Sequence, residues 1–70
     1  MFRPGDIVRY AYSGFGDEHN NLTGIVIESK VWKDPGNPNN VGVDVSVMWP
    51  DGKITRFDEL ELELIEIAKN

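Results

Sequence analysis

A strict alternation of side chains from Val41 to Trp49 constrains this chain more than any other feature. Apolar residues stand at every second position, namely Val41, Val43, Val45, Val47 and Trp49, which is the period of a strand with one buried face. Pro-Asp-Gly follows at 50–52, and a shorter strand-like run begins at Lys53. Because proline presets φ for the first turn position and glycine accepts a left-handed conformation, the segment predicts a β-hairpin with a three-residue loop.

The loop length also predicts the register of this hairpin. If Gly52 closes the turn with a bulge, every later residue has a defined partner on the preceding strand. The predicted facing pairs are Trp49–Lys53, Val47–Thr55 and Val45–Phe57 on the inner face, and Met48–Ile54 and Ser46–Arg56 on the outer face. One face of the hairpin therefore belongs to the core, and the other keeps a small apolar spot at Met48 and Ile54.

Glycine and proline divide the preceding part of the chain into short β-like runs. Residues 6–12 form the first run. Residues 22–32 form the second, in which Ile25, Ile27 and Val31 lie on the side that we expect to face inward. The opposite side of this run carries Val26, Glu28, Lys30 and Trp32.

The acidic C-terminal segment is compatible with either a strand or a short helix. Leucines 60, 62 and 64 alternate as in a strand, whereas the spacing from Leu60 through Leu64 to Ile67 also forms a helical stripe. A domain this small cannot leave a row of leucines unpaired with its sheet. We therefore expect a 3₁₀ turn around residues 58–60 and then a strand through about residue 65.

Five short strands with a tight hairpin predict an all-β fold for residues 1–70, a single small five-stranded antiparallel barrel with a 3₁₀ turn before the last strand. The segments that read PGDIVRY, TGIVIE, VDVSVMWPDGK and DELELI resemble SH3-like barrels of the KOW and Tudor type. The chain is also similar to short bacteriophage-encoded proteins with a Gly-Asp-x-Val start and a Trp-x-Asp-Gly hairpin. The resemblance implies a binding module, with a shallow peptide groove flanked by two loops.

Composition and charge narrow the function further. The chain has no cysteine, which excludes disulfides and zinc-thiolate sites. Its net charge of −5 arises after residue 33, where three basic residues stand against eight acidic ones. Nucleic-acid binding needs a clustered positive field, so this balance disfavours it. Without a signal peptide or a membrane-length apolar run, we expect a cytoplasmic protein, in the host cytoplasm or the virion if a phage encodes it.

No set of residues predicts a reaction. His19 is the only histidine, and its neighbours Asp17 and Glu18 are unsuited to converge with it on one ion, because adjacent residues rarely do so. The serines have no histidine placed to activate them. We therefore expect no enzyme activity, no cofactor and no metal.

The aromatic residues give the best candidate site. The groove implied by the resemblance lies between the polar segments 13–21 and 33–40, both predicted to be loops. Its predicted partner-binding residues are the aromatic Tyr12, Phe15, Trp32 and Trp49 and the acidic Asp17, Glu18 and Asp34. Aromatic side chains with acidic neighbours can hold a cation. The alternative is that the two tryptophans cap the ends of the barrel.

These observations favour a non-enzymatic protein-interaction or assembly module that binds a peptide or protein partner, with a basic or proline-rich segment preferred over an acidic one. The acidic residues Glu59, Glu61, Glu63 and Glu66 are a second candidate docking face, or a solvated strand face whose like charges discourage stray pairing. The alternative function is a KOW-like nucleic-acid or ribosome-associated domain. The oligomeric state stays open.

Overall fold

The computed structural model describes residues 2–11 and 22–68, which form one antiparallel sheet of five strands. The strands are β1 (Ile7–Tyr10), β2 (Gly24–Asp34), β3 (Asn37–Met48), β4 (Ile54–Asp58) and β5 (Leu62–Glu66), and a 3₁₀ turn (Glu59–Glu61) joins β4 to β5. Their order across the sheet is β4-β3-β2-β1-β5. The prediction of an all-β fold with a 3₁₀ turn before the last strand is confirmed. In the described ranges, no helix is long and apolar enough to cross a membrane.

The sheet does not close into a barrel. β4 and β5 form its two edges, and no ladder joins them in the described part of the chain. Only the three residues of the 3₁₀ turn connect these edges, so the sheet must curl to bring them together. The predicted barrel is thus an open five-stranded antiparallel sheet in the described residues, because no ladder pairs β4 with β5. The SH3-like resemblance stays a prediction.

The β3–β4 hairpin has the predicted register. Val47 lies opposite Thr55, Val45 opposite Phe57, Met48 opposite Ile54, and Ser46 opposite Arg56. The backbone N–H of Gly52 donates to the carbonyl of Trp49 over 2.9 Å, and the N–H of Trp49 donates to the carbonyl of Lys53 over 2.9 Å. Gly52 has φ of 87°, the left-handed conformation that the three-residue loop requires.

We predict that Gly52→Val lowers the free energy of unfolding by roughly 1–3 kcal/mol, measured by chemical denaturation. A Cβ at this position would meet no atom within 4 Å, so the loss comes only from the positive φ. Gly52→Asn is the matched control, because asparagine tolerates the left-handed region. It should lower the free energy of unfolding by less than Gly52→Val does. Equal stability of the valine variant and the parent would contradict this account of the turn.

The inner face of the curled sheet holds the core. Seven apolar residues are buried there: Val8, Val26, Val45, Val47, Trp49, Phe57 and Leu62. Phe57 is central to it, because its ring lies 5.5 Å from that of Tyr10 and meets the ring of Trp49 edge-on, with centroids 6.0 Å apart. Edge-to-face packing of this kind is favourable for aromatic quadrupoles. The alternating residues of β3 thus form the centre of the fold.

β2 changes its inward phase part-way along its length. Val26 pairs with Val47, but the next pair is Glu28 with Ser46, which leaves Ile27 as an extra residue in a β-bulge. Before the bulge Val26 is buried and Ile25 is exposed, whereas after it Val31 lies opposite Val43 on the inner face. The prediction that Ile25 and Ile27 face inward together with Val31 is therefore wrong.

The predicted loop 33–40 is instead the tip of the β2–β3 hairpin. β2 runs to Asp34, β3 starts at Asn37, and these two residues face each other across Pro35 and Gly36. The Asp34 carboxylate accepts a hydrogen bond from the N–H of Gly36 over 2.9 Å. A second irregularity follows, since Lys33 pairs with Val41 and leaves residues 38–40 as an insertion in β3. Such a bulge can contain a proline, which has no N–H for the ladder.

The C-terminal segment forms a 3₁₀ turn and then a strand, and not a helix. Asp58 and Glu61 form a capping box around the 3₁₀ turn: the Asp58 carboxylate accepts the N–H of Leu60, and the Glu61 carboxylate accepts the N–H of Asp58, each over 3.0 Å. β5 then pairs with β1, with Tyr10 opposite Leu62. The predicted order of turn and strand is confirmed.

A buried carboxylate fastens the two ends of the described chain. Asp6 is only 5% exposed, and its side chain accepts the N–H of Arg3 over 2.9 Å and the N–H of Ala68 over 2.7 Å. The backbone around it is also bonded to β2, because the N–H of Val26 donates to the carbonyl of Asp6. The N–H of Arg3, and then that of Ala68, hold the pKa of Asp6 below its ordinary value against the opposing effect of burial.

This lowered pKa predicts a loss of stability in acid. Ionised Asp6 contributes fully to the free energy of unfolding above the pKa of an unfolded aspartate, about 3.9. This contribution disappears as the pH falls through the lower pKa of the folded state. Asp6→Asn should therefore melt at a lower temperature than the parent at neutral pH. Its melting temperature should also fall less than that of the parent between about pH 5 and pH 2. Asp44→Asn is the matched control. Parallel melting curves for the parent and Asp6→Asn across this range would contradict the prediction.

Candidate binding surface

The structure describes only part of the predicted groove. Tyr12, Phe15, Asp17 and Glu18, together with the rest of segment 13–21, lie outside the described residues. Their prediction as partner-binding residues stays a prediction. The described members are Trp32, Asp34 and Trp49, and the structure gives each of them a different position.

Trp49 lies inside the core. It is 2% exposed, its Nε1–H donates to the Thr55 hydroxyl oxygen over 3.1 Å, and its ring packs on Phe57. A buried indole usually finds such a partner for its N–H. Trp49 therefore belongs to the core, because the alternation of β3 places it on the inner face with the core valines, and its role in partner binding stays a prediction.

Asp34 has a local structural role at the hairpin tip. One carboxylate oxygen accepts the N–H of Gly36, and the other lies 3.4 Å from the side-chain nitrogen of Asn40. A short polar side chain that bonds the backbone two residues onward is a common way to fix a turn. Asp34 therefore orders the tip of the β2–β3 hairpin, and its carboxylate is already engaged.

Trp32 lies on the outer face of β2, near the tip of the β2–β3 hairpin. Its cross-strand neighbour is Gly42, and an added Cβ at Gly42 would come within 2.5 to 2.7 Å of three atoms of the Trp32 indole. The ring thus lies directly on the backbone of β3. Only glycine leaves room for this arrangement, which leaves the indole half-buried.

The outer face beside Trp32 forms a shallow groove of about 210 Å³. We call it the Trp32 groove, and it is lined by Glu28, Lys30, Trp32, Asp44, Ser46 and Arg56. The cross-strand register brings these residues together, because Lys30 lies opposite Asp44, and Ser46 stands between Glu28 and Arg56. The sequence already placed Glu28, Lys30 and Trp32 on one side of β2, but of these only Trp32 was predicted to bind a partner, since Asp44, Ser46 and Arg56 join them only through the cross-strand register.

The four charged side chains of the Trp32 groove balance each other in sign. Two are acidic and two are basic, yet none of them forms a salt bridge with another residue in the part of the chain that is described. Their donors and acceptors are thus available next to an aromatic ring. Such a surface can bind the charged and apolar groups of a peptide at once.

The predicted apolar spot at Met48 and Ile54 is part of a larger surface. Ile7 pairs with Ile25, Ile25 with Met48, and Met48 with Ile54, so one apolar row crosses four strands on the outer face. Ile27 adjoins this row at the bulge in β2, and Ile65 adjoins it where the β1–β5 register shifts between Ile7 and Val8. We call these residues the apolar band: Ile7, Ile25, Ile27, Met48, Ile54 and Ile65.

The acidic C-terminal residues do not form one free face. Glu63 makes a salt bridge of 3.0 Å with Arg9, and Glu61 belongs to the capping box of the 3₁₀ turn. Exposed ion pairs of this kind contribute little stability, but they do neutralise charge locally. The alternative docking face is therefore less acidic than its sequence indicated.

A cavity of about 450 Å³ lies at the ends of the described chain, between Phe2, Pro4, Leu64 and Ile67. Its one carboxylate is Asp6, whose oxygens already accept two backbone N–H groups. Within residues 2–11 and 22–68, no group of three or more His, Cys, Asp or Glu residues could hold a metal ion.

Comparison with known proteins adds no assignment. No protein-family model, no curated protein and no solved structure gives a significant match to this chain. The candidate function therefore rests on the geometry of the sheet.

We predict that Gly42→Ala displaces the Trp32 ring while the sheet survives. The methyl group would overlap the indole, and Gly42 does not have a positive φ, so the backbone itself tolerates alanine. The indole N–H resonance of Trp32 should shift, and acrylamide quenching of fluorescence should increase. Trp49 provides an internal control, because its buried indole N–H should not move. An unchanged Trp32 resonance would contradict the stacking on Gly42.

Proposed function

We propose that this protein is a non-enzymatic interaction or assembly module that binds a protein or peptide partner through the Trp32 groove. The observation that supports this proposal is the half-buried Trp32 indole, held on Gly42 beside charged groups without salt bridges. Tryptophan and arginine are over-represented among the residues that dominate binding energy. The groove contains both Trp32 and Arg56.

The preferred partner is a basic segment with an apolar side chain for the indole. The chain carries a net charge of −5, which attracts cationic partners over distance and speeds their encounter. Within the groove, Glu28 and Asp44 can accept hydrogen bonds from lysine or arginine of the partner, and Arg56 can bind a backbone carbonyl. Lys30 and Arg56 are too closely matched by acids to favour nucleic acid, so the KOW-like alternative gains no support from this face.

A displayed library of random peptides, selected against the parent protein, tests the proposal. We expect enriched sequences that are basic and bind with micromolar affinity or tighter, and Trp32→Ala should weaken them at least tenfold, or about 1.4 kcal/mol. Leu60→Ala is the matched control, because Leu60 is 78% exposed on the 3₁₀ turn, away from the groove. Thermal melting would establish that both variants keep the fold.

Two results would contradict the proposed site. One is that enriched peptides bind Trp32→Ala as tightly as the parent. The other is that peptide binding shifts the protein's amide resonances on β5 and not those of Glu28, Asp44 and Arg56. In either case the partner would use another surface. Loss of affinity with rising salt should be moderate, because the proposed contact combines charge with apolar burial.

A further inference from the structure

We infer that the apolar band is a self-association surface, on which a second copy of this chain docks to form a symmetric dimer. This inference concerns a different surface from the Trp32 groove and does not depend on peptide binding there. On β2 the centre of the band, Ile25, is seven residues from Trp32, or roughly 23 Å at the rise of a strand, and the row of Glu28, Ser46 and Arg56 lies between the band and Trp32.

The band is unusual for a face that points away from the core. Large apolar side chains from consecutive strands stand side by side, and none of Ile25, Met48 and Ile54 is buried, with Ile54 60% exposed. Scattered apolar residues are normal on a surface, but a contiguous apolar row marks a contact site. The core itself does not need this row, since β1 to β5 bury their other faces.

Shape makes the band complementary to itself. Ile7, Ile25, Met48 and Pro50 surround a shallow apolar hollow of about 190 Å³, and the exposed Ile54 projects beside it from β4. A two-fold axis passing near Met48 brings Ile54 of each copy to the hollow of the other. Such reciprocal contact, in which residue i meets j and j meets i, is the signature of an isologous interface.

Charge favours a second copy over a strongly charged partner. The band is uncharged, and the charged residues on its flanks are Arg9, Arg56, Glu28, Glu63 and Glu66, two basic against three acidic. The outer face at the band is thus nearly neutral, although the whole chain carries −5. The local charge therefore adds little repulsion when two copies meet on this face.

The expected affinity follows from the size of the surface. With one flanking row on each side, the band covers roughly 20 by 20 Å, from strand spacing and rise. This area of about 400 Å² is half of the ~800 Å² that a standard specific interface buries on each partner, so the contact belongs with weak, transient interfaces. We therefore expect a reversible dimer with a Kd in the micromolar range, about 10⁻⁶ to 10⁻⁴ M.

Sedimentation equilibrium over a concentration series tests the dimer, using the whole chain of 7.9 kDa. The parent should change from monomer to dimer with rising concentration, and Ile54→Asp should raise the dimer Kd at least tenfold. Leu60→Asp is the matched control, because it makes the same kind of substitution at an exposed apolar residue outside the band, and its Kd should equal that of the parent. Circular dichroism would verify the fold of both variants.

Amide shifts of the parent upon dilution give a test that needs no variant. They should concentrate on Ile7, Ile25, Met48 and Ile54. A parent that stays monomeric up to about 1 mM would overturn the inference. So would a dimer that Ile54→Asp leaves intact, or dilution shifts confined to other strands. Peptide binding by a monomeric Ile54→Asp variant would separate the two surfaces, since the Trp32 groove is unchanged in it.

Discussion

The β-bulge at Ile27 determines which side chains of β2 face the core and which face outward. Without the extra residue, Glu28, Lys30 and Trp32 would continue the inward phase of Val26 and would have to enter the core. Burying two charges without partners would cost several kcal/mol each, so the sheet could not form with that register. The bulge removes this conflict. It also gives the outer face its two parts, which are apolar on one side of Ile27 and charged, with the half-buried Trp32, on the other.

The core of this protein is too small to offset buried charges. Only seven apolar residues are buried in the described chain, and a 70-residue domain has little stability to lose. Local devices therefore supplement the core at the points where the chain could fray. Asp6 bonds both chain ends, the capping box of Asp58 and Glu61 fixes the turn between the sheet edges, and Asp34 fixes the hairpin tip. Each device satisfies backbone N–H groups that the sheet leaves unpaired.

The features that the sequence predicted correctly are determined locally. Pro-Asp-Gly and the alternation of β3 define the β3–β4 register within a dozen residues, and the leucine spacing defines β5. The same alternation already contained the position of Trp49, which lies in phase with Val45 and Val47. By contrast, a residue inserted into a ladder is visible only when the partner strand is known, so the bulge at Ile27 could not be predicted from β2 alone.

The prediction of a loop at 33–40 is wrong for a related reason. Its prolines and asparagines are typical of a loop. However, the two residues Pro35 and Gly36 are enough to reverse the chain, and the flanking strands continue their pairing up to Asp34 and Asn37. The outcome matters for the site, because the ladder that continues to Asp34 and Asn37 holds the pair of Trp32 and Gly42 inside the hairpin and not at its end. A rigid strand holds an aromatic side chain at lower entropic cost than a loop does.

The two outer surfaces are compatible because the same ladder separates them. Ile25 and Trp32 lie on one strand, on one face, at opposite ends of the pairing with β3. A partner copy on the apolar band can leave Trp32, Lys30 and Asp44 uncovered when the two-fold axis lies near Met48. The row of Glu28, Ser46 and Arg56 borders both surfaces, so the contact must stop short of it. Each dimer would then present two grooves in a fixed relation. Linked sites of this kind bind a repeated or multimeric partner more tightly than either groove alone, without any new contact, when their spacing matches. The bulge that keeps charges out of the core thus also makes bivalent binding geometrically accessible to a chain of 70 residues.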